Sequence, residues 1–121
     1  MSKRILMIED TEDNRQILRD LFAATGYELL EAADGATGLA MAQTHRPDLI
    51  LMDIQLPVLD GYETTRRLKA DPALSAIPVI AVTSYALSDD ERKARAAGCD
   101  AYIAKPFSPR LLLAKVREFL S

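Results

Sequence analysis

Five side chains with metal-binding, nucleophilic or phosphate-binding chemistry each stand just after an apolar run. These are Glu9 and Asp10 after residues 4–8, Asp53 after 48–52, Thr83 after 78–82 and Lys105 after 101–104. If the runs are parallel strands of one sheet, all five side chains meet at its carboxyl edge, where open α/β sheets bind their ligands. Together they supply metal ligands, a nucleophile, a hydroxyl donor and a cation, which is what phosphorylation of a carboxylate requires.

The three carboxylates predict a site for a divalent cation. Glu9, Asp10 and Asp53 would lie close together, and like charges at short range repel one another unless a cation neutralises them. Ligands that are all oxygen, with room left for waters and a phosphate oxygen, favour Mg²⁺. The alternative is that Glu9 and Asp10 only cap the following helix, as an acid after a strand often does. Three acids after two different strands favour the metal site.

Asp53 is the predicted nucleophile, because it ends the most apolar run and a bound metal would keep it ionised. Its attack on phosphorus would give an acyl phosphate. Lys105 can pair with the acids or with phosphate oxygens, although a lysine in a loop is ordinarily only solvated. Thr83 can donate a hydrogen bond to a phosphate oxygen, or it can satisfy backbone groups entering the next helix. Tyr102 by itself is most simply a packed aromatic with a solvated hydroxyl.

The composition is that of one ordinary globular domain. The 121 residues are 49% hydrophobic and 27% charged, with a net charge of −3, and they show no basic stripe for nucleic acid. No apolar stretch reaches membrane-spanning length, and the first strand starts too early for a signal peptide. The single Cys99, expected to be buried at a helix end, fits a reducing cytoplasm. We therefore expect a cytoplasmic single domain, residues 1–121, without an output domain.

Strand and helix signals alternate along the chain, which predicts a parallel sheet with helices on both faces. The strands are predicted at about 4–8, 27–32, 48–53, 78–83 and 101–104. The helices are predicted at about 12–25, 36–44, 62–70, 88–97 and 109–120. The apolar spacing of the first helix predicts a core face of Ile17, Leu18, Leu21 and Phe22. The fourth helix is polar and has little apolar face.

Taken together, the motifs resemble the receiver domain of two-component response regulators. The matching residues run along the whole chain in the right order: Glu9-Asp10, the segment 52–57 with Asp60-Gly61, Thr83, and Lys105-Pro106-Phe107. The resemblance is to receivers that stand alone. It implies a flavodoxin-like doubly wound (βα)5 fold with a five-stranded parallel sheet in the order 2-1-3-4-5.

The resemblance implies that Asp53 is the phosphoacceptor. It implies that Glu9, Asp10, Asp53 and the backbone carbonyl of Gln55 hold Mg²⁺. The phosphoryl group would come from a sensor histidine kinase or a histidine phosphotransfer protein. The chain would catalyse only its own aspartyl phosphorylation and dephosphorylation, and is in that sense not an enzyme.

The resemblance also implies a conformational switch. Thr83 and Lys105 would bind the phosphoryl oxygens, and Thr83 would move together with Tyr102. The face formed by the fourth helix, the fifth strand and the fifth helix would then contact a downstream protein. Neither nucleic acid nor a membrane is expected as a direct partner.

Two other functions fit parts of the pattern. A Mg²⁺-dependent phosphohydrolase with an aspartyl phosphate intermediate usually has a second acid two residues after the nucleophile, and here that position is Gln55, which cannot act as an acid. A flavodoxin-like binding module would have a glycine-rich phosphate loop after the first strand. Residues 10–13 are instead acidic and contain no glycine, so they would repel a phosphate unless a metal intervened.

Overall fold

Five strands alternate with five helices along the chain. The computed structural model describes residues 3–56, 59–83, 88–105 and 108–120, and of residues 88–90 it describes the backbone alone. The strands are β1 (Arg4–Ile8), β2 (Glu28–Ala32), β3 (Leu49–Asp53), β4 (Val79–Thr83) and β5 (Ala101–Ala104). The helices are α1 (Glu12–Phe22), α2 (Gly35–His45), α3 (Gly61–Ala70), α4 (Ser88–Ala97) and α5 (Pro109–Leu120). Among the motif residues, Pro57, Pro106 and Phe107 lie outside the described ranges.

The five strands form one parallel sheet in the order β2-β1-β3-β4-β5, which confirms the predicted fold class and strand order. Ile8 at the end of β1 lies beside Met52, and Asp53 at the end of β3 lies beside Val82. The residues that follow β1 and end β3 are therefore neighbours at the carboxyl edge of the sheet. This is the edge at which open α/β sheets bind ligands.

Helices cover both faces of the sheet, so β1, β3 and β4 are apolar on both sides. Alternate strand residues such as Met7 and Leu51 pack against α1 and α5, whose buried side chains include Leu18 and Leu112. The intervening strand residues pack against α2, α3 and α4. Successive side chains of a strand point to opposite faces of the sheet. Each residue at the carboxyl edge therefore faces either the layer of α1 and α5 or the layer of α2, α3 and α4.

Two predictions about α1 are wrong. The helix ends at Phe22 and not near Thr25, because the Thr25 hydroxyl donates a hydrogen bond to the Phe22 carbonyl (2.7 Å) and the chain turns at Gly26 with φ of 84°. Ile17 is 57% exposed and does not face the core, whereas Leu18 and Phe22 are buried. Residues four apart share one line along a helix, and Ile17 lies about 100° around the axis from Leu18.

The other element bounds agree with the predicted ones within one residue, and those of α4, β5 and α5 coincide. Aspartates are the N-caps of α2 and α3. Asp34 accepts a hydrogen bond from the Thr37 N–H, and Asp60 accepts one from the Glu63 N–H, both at 2.8 Å. Such caps satisfy N–H groups that have no partner within the helix. Cys99 is buried in the turn after α4, as predicted.

Candidate metal and phosphoacceptor site

Three carboxylates meet at the carboxyl edge of the sheet. One oxygen from each of Glu9, Asp10 and Asp53 lies within 4.8 Å of the other two. Glu9 is 4% exposed and Asp53 is 7% exposed, whereas Asp10 faces solvent. The site therefore contains two buried acids and one exposed acid, brought together from two adjacent strands.

The position of Asp53 follows from strand alternation. Its side chain belongs to the same face as Leu51, the face covered by α1 and α5. The backbone N–H of Gln55 donates a hydrogen bond to Asp53 Oδ1 (2.9 Å), which fixes the rotation of the carboxylate. The N–H of Ile54 donates to the Val82 carbonyl (3.1 Å), so the chain stays attached to β4 just beyond the acid.

Glu9 is held by the first turns of α1. Its Oε1 accepts hydrogen bonds from Asn14 Nδ2 (3.1 Å) and from the Thr11 N–H (3.3 Å). Arg15 donates to the Glu9 backbone carbonyl at 2.7 Å. The sequence analysis did not include Asn14 and Arg15 in the site. Their position five and six residues after Glu9, on the turns that begin α1 at the same edge, is the signal that would have identified them.

Lys105 reaches the acids from β5. Its backbone N–H donates to the Thr83 carbonyl (2.6 Å), and its Nζ donates to Glu9 Oε2 at 3.2 Å. The ammonium group is mostly buried and close enough to Asp53 to lower the pKa of that residue. A single buried cation therefore interacts with two buried acids.

Burial and their closeness separate the pKa values of the two buried acids. Burial, followed by the hydrogen bond with Glu9, raises the pKa of Asp53 from 3.8 to about 7. Burial also acts to raise the pKa of Glu9, but hydrogen bonds from Asp53 and Asn14 and the charge of Lys105 outweigh it and lower that pKa. Asp53 therefore holds a proton more tightly than Glu9 does.

Thr83 and Tyr102 lie at the same edge but on the other face of the sheet. Thr83 is 1% exposed and follows Val82, the residue beside Asp53, so alternation points it away from the acids. Tyr102 lies beside Ala81 and is half-buried against the layer of α2, α3 and α4. The structure thus groups Glu9, Asp10, Asp53 and Lys105. It places Thr83 and Tyr102 on the opposite face of the sheet.

An apolar groove of about 480 Å³ opens beside Asp53. Its buried wall includes Met7 and Leu18, and exposed Ile17 and Pro109 stand at its rim, between α1 and α5. This groove was not predicted, since the apolar spacing of α1 placed Ile17 in the core.

The donor set fits a hard divalent cation. All the acidic ligand atoms are oxygens, two of the three acids are buried, and Lys105 bonds to Glu9. Mg²⁺ prefers a small number of carboxylates together with waters and phosphate oxygens, and exposed Asp10 leaves one side of the cluster open to solvent.

The family described as "Response regulator receiver domain" matches residues 5–117. The doubly wound sheet and its acidic edge define the class of protein, an α/β receiver that signals as a phosphoryl acceptor. The chain belongs to the response regulator receiver domain family. Within the described part of the chain, no helix is both long enough and apolar enough to cross a membrane.

Relatives with similar sequences span almost the same length. The "Polar-differentiation response regulator DivK" of Brucella anthropi is 47% identical over 120 residues, which cover 99% of this chain and 98% of the relative. The homologue of Brucella melitensis is 46% identical over the same coverage.

A solved structure of similar fold contains the metal. The receiver domain of the sensor histidine kinase PA1611 from Pseudomonas aeruginosa has a magnesium ion coordinated in its active site cleft. It is 35% identical to this chain, with a TM-score of 0.92 and coverage of 99% and 98% of the two chains.

Proposed function

We propose that Asp53 accepts a phosphoryl group in a Mg²⁺-dependent reaction, and that the donor is the phosphohistidine of a sensor histidine kinase or a histidine phosphotransfer protein. The observation that carries this proposal is the convergence of Glu9, Asp10 and Asp53 within 4.8 Å, with Lys105 bonded to Glu9. Family membership supports it, since receivers signal by accepting phosphoryl groups.

In the proposed reaction a carboxylate oxygen of Asp53 attacks phosphorus. The O–P bond forms as the N–P bond of the phosphohistidine breaks, and the imidazole leaves. The Gln55 N–H holds Asp53 Oδ1 and so orients the attacking group. Lys105, already among the acids, can transfer its ammonium to the phosphoryl oxygens, where positive charge stabilises the transferring group. The Thr83 hydroxyl is the proposed donor to a further phosphoryl oxygen, which Thr83 would reach by moving toward the phosphate.

Glu9, Asp10, Asp53 and the backbone carbonyl of Gln55 are the proposed Mg²⁺ ligands. Bound there, the ion would supply the positive charge that offsets repulsion between the acids and the incoming phosphoryl group. A carboxylate binds a metal in its ionised form, so an ion bound here would favour the ionised form of Asp53, which is the form that can act as the nucleophile.

Two surfaces near the site are proposed to contact partner proteins. Exposed Ile17 and Pro109 flank the groove beside Asp53 and offer an apolar contact to the protein that delivers the phosphoryl group. Movement of Thr83 and Tyr102 would transmit the signal to the face of α4, β5 and α5, where Leu111 is 53% exposed for contact with a downstream protein.

The proposal covers the chain as one receiver domain, residues 1–121, which acts by protein contact and converts no external substrate. A cytoplasmic location goes with it, because Cys99 is a free buried thiol and a phosphohistidine donor is expected in the same compartment. A phosphohydrolase activity is disfavoured by Gln55, whose amide cannot protonate a leaving group. Turnover of a phosphomonoester by the purified protein would support that enzyme and contradict our proposal.

The test is incubation with a small acyl phosphate and Mg²⁺, followed by intact mass measurement. We expect one phosphoryl group that hydroxylamine removes, and none when EDTA replaces Mg²⁺. Asp53→Asn should abolish the modification, whereas Asp20→Asn, at an exposed position on α1, should leave it intact. Equal labelling of Asp53→Asn and the wild type would overturn the assignment.

A further inference from the structure

Gly61, the first residue of α3, packs directly on the backbone of the proposed phosphoacceptor. The residue is buried, and no side chain separates the start of the helix from the end of β3. A Cβ atom built on Gly61 would lie 2.5 Å from the backbone oxygen of Asp53 and 2.6 Å from the Cα of Ile54. Carbon atoms at their optimal separation are about 3.5–4.0 Å apart, so any side chain here would displace main chain.

Three hydrogen bonds accompany this packing contact around Asp53. The Gly61 N–H donates to the Ile54 carbonyl at 3.1 Å, and the Ile54 N–H donates to the Val82 carbonyl at 3.1 Å. The Gln55 N–H donates to the Asp53 carboxylate at 2.9 Å. The main chain from Asp53 to Gln55 therefore lies between β4 on one side and the start of α3 on the other.

Space, and not backbone conformation, is what requires glycine at this position. Among the described glycines, only Gly26 and Gly98 have positive φ, so the conformation of Gly61 is open to any residue. Gly38 offers a contrast, because the nearest atoms to a Cβ there are all side-chain carbons of Ile8, the closest at 2.3 Å. At Gly61 the colliding atoms are main chain and cannot rotate away.

We propose that Gly61 is a positioning residue for the metal and phosphoacceptor site, an inference that rests on the proposed function. By allowing α3 to pack on the main chain, it sets where the Asp53 carboxylate and the Gln55 carbonyl stand relative to Glu9 and Asp10. A side chain at position 61 moves two proposed Mg²⁺ ligands away from the other two. Residues that orient metal ligands in this way typically contribute about 10- to 100-fold to metal affinity.

The test is Mg²⁺ titration by calorimetry, with the initial rate of phosphorylation from a small acyl phosphate as a second readout. Gly61→Ala should weaken Mg²⁺ binding by about 10-fold or more and slow phosphorylation correspondingly. Gly98→Ala is the matched control. It strains a backbone with φ of 108° and meets the Lys69 side chain at 2.8 Å, in the turn after α4. It should lower stability but leave Mg²⁺ affinity within about two-fold of the wild type.

The outcomes separate the two proposals. If the wild type binds no Mg²⁺ and takes up no phosphoryl group, the proposed function fails. If the wild type does both and folded Gly61→Ala binds Mg²⁺ as tightly, the positioning role is wrong. An equal loss of affinity in Gly98→Ala would also contradict it, because general destabilisation would then explain the effect.

A second pair of variants applies if Gly61→Ala does not fold. Asp60 caps α3 through the Glu63 N–H and therefore holds Gly61 in place. Asp60→Ala and Asp60→Asn remove the same charge, but only asparagine retains the cap. We expect weaker Mg²⁺ binding in Asp60→Ala than in Asp60→Asn. Equal affinities would show that the start of α3 does not position the ligands.

Discussion

The Lys105 ammonium lies 3.2 Å from the Glu9 carboxylate, although 96 residues separate the two in the sequence. One oxygen of Glu9 lies within 4.8 Å of one oxygen of Asp53. The mostly buried ammonium group thus offsets the charge of Glu9, while the pKa of Asp53 is raised to about 7. Metal binding and phosphorylation must both begin by replacing this arrangement, so the charges at this edge determine the stability and reactivity of the site.

Asp53→Asn should stabilise the metal-free protein. Burial and the neighbouring Glu9 raise the pKa of Asp53 to about 7, so ionising it at pH 8 costs folding free energy, and asparagine removes that cost. We expect the free energy of unfolding at pH 8 in EDTA to rise by about 1–2 kcal/mol, measured by urea denaturation. The exposed Asp20→Asn should change it by less than about 0.5 kcal/mol.

The stabilisation by Asp53→Asn should depend on pH. The folded state keeps the Asp53 proton up to about pH 7, while the unfolded state loses it near 3.8, so this contribution to stability is lost as the pH rises through 7. The lowered pKa of Glu9 gives a contribution that is already complete above about 4.5. The advantage of the variant should therefore grow between pH 5 and pH 8. An advantage that is as large at pH 5 would contradict the assignment.

Lys105→Gln should separate metal binding from phosphoryl transfer. Removing a cation from beside Glu9 removes its repulsion of Mg²⁺, so Mg²⁺ affinity should be maintained or increased. Phosphorylation from a small acyl phosphate should slow by about 100-fold, because the ammonium no longer stabilises the transferring group. Lys93→Gln, on the exposed surface of α4, should change neither quantity. A phosphorylation rate unchanged in Lys105→Gln would exclude the lysine from the reaction.

Much of the site was predictable because parallel strands bring their carboxyl ends to one edge. That rule alone predicted that Glu9, Asp10 and Asp53 would meet, and the structure shows that they do. The helix bounds were predicted where strong signals stand at the ends, as at Pro109 of α5. The end of α1 was predicted wrongly, because the Thr25 hydroxyl donates a hydrogen bond to the Phe22 carbonyl at the end of the helix.

The remaining features depend on packing between distant segments. Apolar spacing predicted a buried Ile17, but the buried residues of α1 are Leu18 and Phe22, and Leu21 is only partly buried against the core. The contact between Gly61 and the Asp53 backbone requires the exact path of the chain between β3 and α3. The local sequence does not reveal the path of the chain between β3 and α3. A glycine directly after the helix cap, as at Gly61, is nevertheless a sign that close packing should be examined.

Lys69 should contribute to stability through three acceptors that surround its ammonium group. Its Nζ donates to the Ser75 carbonyl (3.2 Å), the Ile77 carbonyl (2.8 Å) and Asp100 Oδ2 (2.9 Å). The same Asp100 oxygen accepts from the Val79 N–H at 2.8 Å, so the cluster joins α3 to the starts of β4 and β5. Lys69→Met should lower the free energy of unfolding by about 1–3 kcal/mol, measured by urea denaturation.

A double-mutant cycle checks that Lys69 and Asp100 act together. The losses in Lys69→Met and Asp100→Ala should add to more than the loss in the double variant, because the two share a hydrogen bond. Simple additivity would show that the ion pair contributes nothing to stability.

Arg46→Gly should stabilise the protein. Arg46 ends α2 with φ of 46°, the one positive φ among the described residues other than glycine. Side chains are strained in this region and glycine is not, so we expect a gain of about 0.5–1 kcal/mol in the free energy of unfolding. Arg46→Ala keeps the strain and should give no gain. A gain of the same size in both variants would assign the effect to the arginine side chain.

The most direct test of the central claim is the position of the phosphoryl group in the chain. After incubation with a small acyl phosphate and Mg²⁺, borohydride reduction converts an aspartyl phosphate to homoserine, which peptide mass spectrometry can locate. We predict a single reduced residue, at position 53. Reduction at Asp10 or at any other acid, with residue 53 unchanged, would contradict the account.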